Sequence, residues 1–134
     1  MRVLTFMPCF WDKIKAGEKL QTCRRRAGCV PGDTLSLRGW SGRPYMTPQV
    51  KLLEPVVCRK VVPVVIEIHP GDGAAGLEIT LGGRILGEAC KIYFARADGF
   101  CSRLDMMRFF GERYPRMVKR GEPFEGDVIY WGAA

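Results

Sequence analysis

Residues 2–7 place Leu4 and Phe6 on one side of an extended segment, which predicts a strand that Pro8 ends. Over residues 10–16, Phe10 and Ile14 are spaced for one helical face among charged residues, and Gly17 follows. That pattern predicts a short helix stopped by a glycine in the left-handed conformation. Residues 19–25 have extended character. Pro31-Gly32-Asp33 is a turn signal leading into a strand over residues 34–38, with Leu35 and Leu37 inward.

Residues 39–49 hold glycines and prolines together with Trp40, Arg43 and Tyr45, and read as an aromatic loop. Residues 56–68 are rich in valine and isoleucine and predict one long buried strand. Pro63 lies inside it, which implies an edge position or a bulge. Residues 71–76 are a turn region, and 77–86 predict a hairpin around Gly82-Gly83. The clearest helix is 102–113, with Ser102 as N-cap and Asp105 at the third helical position. Leu104, Met106, Met107, Phe109 and Phe110 form its apolar stripe and read as core. Tyr114-Pro115 ends that helix, and residues 127–131 predict the last strand. Several short strands with two or three helices make a small α+β domain, around a curved sheet or β-barrel. By length, residues 1–134 form one domain.

Charge adds a partner to this picture. The formal net charge is +7, and six of the 21 basic residues lie between Lys13 and Arg26, with six more between Arg103 and Arg120. Such a balance favours anionic partners, nucleic acid first. No apolar run reaches transmembrane length and no secretory signal pattern opens the chain, so a cytoplasmic protein with no membrane partner is expected. The six cysteines lack the spacing of a zinc knuckle or redox motif and are expected to be reduced thiols. His69 precedes Pro70-Gly71 and reads as a turn residue, so no metal site and no cofactor are expected. Oligomeric state is left open.

Candidate chemistry concentrates between Gly17 and Arg26, where Lys19, Thr22, Arg24, Arg25 and Arg26 crowd into one segment. A hydroxyl beside a lysine can be a nucleophile with its base, and arginines can hold an anion or a polar substrate edge. The same residues also suit a solvated basic face, with Thr22 an ordinary strand threonine and Asp98, before Gly99, a turn residue. Residues three apart on a flat strand point to opposite faces. Lys19 must therefore lie in the turn after Gly17, or the strand must bulge, for it to meet Thr22.

The ordered motifs resemble the ASCH domain, a branch of the PUA-like superfamily. Ile14-Lys15-Ala16-Gly17-Glu18-Lys19 followed by Gln21-Thr22-Cys23-Arg24 is similar to that family's I-x-x-G-x-K-x-x-T-x-R segment. Pro31-Gly32-Asp33-Thr34-Leu35 resembles its PGD-x-L turn. Asp98-Gly99-Phe100 with Ser102, Asp105-Met106 and Phe109-Phe110 resembles the helix start that follows an acidic residue. Tyr114-Pro115 and Val128-Ile129-Tyr130-Trp131 complete the set. The segment Trp40-Ser41-Gly42-Arg43-Pro44-Tyr45 is similar to a loop variant of phage and prophage members.

The resemblance implies a small β-barrel with flanking helices and a cleft. Some small members are amidohydrolases that deacetylate N4-acetylcytidine, and others are linked to RNA binding or RNA cleavage. By motif position the amidohydrolase set falls on Lys19, Thr22 and Asp98, with Asp98 one methylene shorter than the family's glutamate. The expected activity is hydrolysis of an N-acylated pyrimidine nucleoside. Thr22 would be the nucleophile, Lys19 its base and Asp98 the residue that orients Lys19 or returns the proton. Arg24, Arg25, Arg43, Trp40 and Tyr45 are the expected substrate-binding residues. The alternative is an RNA-binding module or ribonuclease, with arginines on phosphate and Trp40 or Tyr45 stacked on a base.

Overall fold

The N-terminal segment forms β1 (Arg2–Thr5), and Pro8 opens a 3-10 turn (Pro8–Phe10) that runs into α1 (Trp11–Lys15). The computed structural model describes residues 1–132. Gly17 stops α1 at φ +74°, in the left-handed conformation expected of it. The chain continues into β2 (Gln21–Arg24) and, after the Pro31-Gly32-Asp33 turn, β3 (Thr34–Trp40). There follow β4 (Gln49–Lys51), β5 (Val56–Val57), β6 (Lys60–Ile68), β7 (Leu77–Leu81) and β8 (Arg84–Ile85). Three helices come next, α2 (Glu88–Ala97), α3 (Arg103–Arg113) and α4 (Arg116–Lys119), before β9 (Phe124–Tyr130) closes the described chain.

The architecture is mixed α+β, as expected, in two sheets that are not closed into a barrel. In one sheet β3 is parallel to β1 and antiparallel to β4 and β5. The other is antiparallel throughout, in the order β2-β9-β6-β7-β8. The barrel expectation fails because this sheet keeps two ends: β8 has only two residues, and β2 borders a cleft instead of another strand.

The long strand expected over residues 56–68 is two strands that serve different sheets. The chain crosses between them at Cys58 and Arg59, whose N–H groups donate to Asp33 (2.8 Å) and Tyr130 (2.7 Å) respectively. Nor does Pro63 mark an edge or a bulge. β6 is central, and its register with β9 runs unbroken from Lys60–Tyr130 to Ile66–Phe124. The proline is tolerated because its missing N–H lies on the side of its own carbonyl, which accepts from Gly82 in the β7–β8 turn at 2.8 Å. That turn is the expected hairpin, with Gly82 and Gly83 both at positive φ (58° and 82°).

The aromatic loop is shorter than expected, because β3 runs through Trp40 and β4 begins at Gln49. Ser102 caps α3 as expected, its hydroxyl accepting from the Asp105 N–H at 3.1 Å. Met106 and Phe110 are core, whereas Leu104, expected on the same stripe, is exposed. One buried cluster draws Leu4 and Leu37 from the first sheet, Ile66, Ile79 and Phe124 from the second, and Phe94, Met106 and Met117 from the helices. Among the described residues no helix is long and apolar enough to cross a membrane.

Candidate active site

The site begins where α2 ends. The Gly99 N–H bonds the Arg96 carbonyl and the Phe100 N–H the Ala95 carbonyl, the paired bonds of a Schellman cap, with Gly99 at φ +98°. Asp98 is the last half-helical residue, and this cap turns it inward until it is only 3% exposed. It also forces a close approach. A β-carbon on Gly99 would stand 2.8 Å from Cδ of Lys19 and 3.1 Å from a Phe10 ring carbon. Glycine is therefore required there twice, by φ and by the lysine stem.

Lys19 reaches this spot from the connection before β2, outside the strand, which resolves the three-residue spacing problem. Its own N–H and that of Glu18 bond back to Lys13, and Leu20 is tied to Ala97. The side chain is 2% exposed. Nζ donates to the Gln21 carbonyl at 2.9 Å and to the main-chain carbonyl of Asp98. It lies 4.0 Å from Asp98 Oδ2 and over the rings of Phe10 (4.7 Å) and Phe6 (5.6 Å).

β2 presents alternate residues to the two sides. Gln21 Nε2 and Cys23 Sγ both approach Asp98 Oδ1, at 3.3 Å and 3.6 Å. Arg24 instead donates to the Thr5 carbonyl at 2.7 Å, which ties β2 to β1. Thr22, on Arg24's side of the strand, is 6% exposed. Among the described residues no hydrogen bond joins its hydroxyl to Lys19 or Asp98.

Lys19, Thr22 and Asp98 nevertheless line one cleft of about 270 Å³. Its apolar wall comes from Phe6, Phe10, Phe100, Phe109 and Phe110, a chain of edge-on and tilted rings with centroids 5.3–6.3 Å apart among the last four. Arg24, Arg25, Arg113 and Tyr114 supply the polar wall. The cleft can take a flat, partly apolar group beside a buried amine and carboxyl.

Burial sets the electrostatics. It pushes the Lys19 amine below the ordinary lysine range, an effect the Asp98 charge opposes. It pushes the Asp98 carboxyl up, against Lys19 and the Gln21 and Cys23 bonds. The Cys23 thiol is held well above its usual range by burial and then by the Asp98 charge, so it is a poor nucleophile at neutral pH. Arg24 is also shifted down, by burial first and then by Arg2 and Arg113. Its Nε is buried and has no partner among the described residues.

The other expected binding residues lie elsewhere. Trp40 is half-buried and packs against Tyr45 in a tilted arrangement, centroids 5.0 Å apart, and Tyr45 is 86% exposed in the left-handed region (φ 64°). Neither they nor Arg43 lines the cleft, so the structure separates this loop from Lys19, Thr22 and Asp98. Gln21, Cys23 and the phenylalanine wall were not expected as site residues, because glutamine and cysteine fall at variable positions of the matched segment and Phe109 and Phe110 read as core. His69 follows β6 and lies 3.5 Å from Glu78, and with Glu67 these form a cluster whose ligating atoms lie within 4.8 Å of one another. No member of that cluster lines the cleft.

Comparison of the chain with protein-family profiles, with curated proteins and with solved structures found no match in any of the three.

Proposed function

We propose that the protein is an amidohydrolase of the ASCH type that removes the acyl group from an N-acylated pyrimidine nucleoside such as N4-acetylcytidine. The observation that carries this reading is the setting of Lys19. Its amine is buried in an aromatic cleft, two main-chain carbonyls take two of its N–H groups, and burial favours the neutral form. A neutral amine so held has its lone pair left over to accept a proton. Thr22, which lines the same cleft, has a hydroxyl with no low-pKa form of its own and needs such a base.

In this reading the Thr22 oxygen bonds the acyl carbon, and its proton passes to Lys19. The C–N4 bond then breaks as that proton is delivered to the exocyclic nitrogen, directly or through the Asp98 carboxyl. Water, deprotonated by Lys19, attacks the acyl-threonine; the C–O bond to Thr22 breaks as Lys19 returns the proton to the threonine oxygen, and the acid is released. Arg24 and Arg25 supply positive potential to the oxyanion. The phenylalanine wall receives the pyrimidine ring.

Arg25 and Arg113 line the cleft and form no ion pair among the described residues, which favours a second reading, a module that binds RNA without turnover. One assay separates them: deacetylation of N4-acetylcytidine and of its 5′-monophosphate, followed by chromatography. Wild type is expected to turn over, whereas Lys19→Met loses the base and Lys19→Arg puts a permanently charged group in its place. Circular dichroism verifies that each variant is folded. Wild type without turnover sinks the amidohydrolase reading, and turnover retained by folded Lys19→Met removes Lys19 from it.

A further inference from the structure

Beside the cleft lies a second depression of about 450 Å³. It shares Arg25, Arg113 and Tyr114 with the cleft and continues past Pro115 to Arg116 and Glu122. Three guanidiniums there face one carboxylate. Arg116 meets Glu122 only loosely, at 3.9 Å, with both side chains well exposed. Arg25 and Arg113 have no carboxylate within ion-pair distance among the described residues. Both instead lie over the Tyr114 ring, at 4.8 Å and 5.9 Å. A guanidinium stacked on a ring keeps its N–H edge available for a planar or tetrahedral anion. Holding like charges around one aromatic ring costs Coulomb energy, which a bound dianion would relieve.

We infer that this depression binds a phosphate of the substrate, so that the molecule processed in the cleft is a nucleotide and not a bare nucleoside. The position of the base rests on the amidohydrolase reading; the phosphate rests on the arginines alone. The phosphate has two possible sources, the 5′-phosphate of a free mononucleotide or the backbone of an RNA strand.

The test is calorimetric titration of the intact protein at low salt with cytidine, cytidine 5′-monophosphate, inorganic phosphate and a short cytidine-containing RNA. The monophosphate is expected to bind at least about tenfold tighter than cytidine, or about 1.4 kcal/mol. Added salt should erode that advantage, and Arg113→Gln with Arg116→Gln should remove most of it. Arg116→Gln alone, at a side chain 70% exposed, guards against misfolding and should remove part. RNA binding tighter than the monophosphate, with a steeper salt slope, makes the strand the source; equal or weaker RNA binding makes it the free nucleotide. The inference is overturned if the monophosphate does not bind, binds no tighter than cytidine, or keeps its advantage in both variants. A phosphate preference without hydrolysis of N4-acetylcytidine or of its 5′-monophosphate would end the amidohydrolase reading and leave the phosphate site standing. Hydrolysis without the preference would do the reverse.

Discussion

Lys19 is bound to Asp98 twice over, by a hydrogen bond from Nζ to the main-chain carbonyl and by an ion pair in which Oδ2 stands 4.0 Å away. The carbonyl bond does not depend on the charge of either partner, so it fixes the amine at the end of α2 in both protonation states. The carboxylate contact does depend on charge. Geometry and proton affinity are thus set by different parts of one residue.

Turnover should therefore rise with pH as Lys19 loses its proton. The midpoint of kcat/KM is expected below 10.5, the ordinary lysine value, because burial disfavours the ammonium. The Asp98 charge raises the Lys19 pKa, so the residual activity of Asp98→Asn should show its midpoint further down. A flat profile across the folded range, or a midpoint that moves up in Asp98→Asn, would remove Lys19 as the base.

Gly99→Ala should be costly for stability and for the site together. The new methyl meets both a φ of +98° and the Lys19 stem at 2.8 Å. Backbone strain and overpacking together suggest a loss of roughly 2–4 kcal/mol, read as a lower midpoint in urea. Gly17→Ala controls for backbone strain alone, since nothing lies within 4 Å of a β-carbon there. If both variants lose equally, the packing of Gly99 on Lys19 contributes nothing.

The fold was legible where pattern and chemistry agree. Ser102, the Gly82-Gly83 turn and the Gly17 stop each combine a local signal with a hydrophobic period, and each element forms there. α2 gave no such signal. Its N-cap is Gly87, without a side-chain bond, and Lys91 interrupts its buried face beside Phe94 and Ala95. Lys91 is accommodated because Nζ pairs with Glu88 in the same helix and donates to the Leu77 carbonyl at 2.6 Å, a bond made only after α2 docks on β7. The site was half legible for a similar reason. Lys19 and Asp98 come from motif positions, but Gln21 and Cys23 gain meaning only when α2 brings a carboxyl over β2, 77 and 75 residues away in sequence. The Trp40–Tyr45 loop had the composition of a recognition surface, yet its two rings pack against each other, tilted, away from the cleft.

The thiols should react in an order set by burial. All six cysteines are free in the described residues; Cys9, Cys90 and Cys101 are exposed, and partial burial pushes the Cys9 thiol up. Cys23 is pushed well above its usual range, and Cys58 to about 11, by burial first in each case. Iodoacetamide attacks through the thiolate, so native protein should lose Cys90 and Cys101 first and Cys23 and Cys58 last, by peptide mapping. Under denaturing, non-reducing conditions six thiols should titrate. Early labelling of Cys23 would mean that its thiol is not held down by Asp98.

Thr22 offers the sharpest separation of chemistry from structure. It sits on the side of β2 opposite Gln21 and Cys23, pairs in register with Ile129, and makes no side-chain hydrogen bond among the described residues. Thr22→Val keeps the shape and the β-branch and removes only the hydroxyl. No bonded partner is left stranded, so stability should change by less than about 1 kcal/mol. If Thr22 is the nucleophile, hydrolysis of N4-acetylcytidine should be lost all the same, while Thr22→Ser should retain part of it. Mass spectrometry of wild type quenched during turnover should then find acetyl carried on the peptide that contains Thr22, and none in Thr22→Val. Full activity in Thr22→Val would hand the attack to water activated by Lys19, with the threonine reduced to a strand residue that walls the cleft.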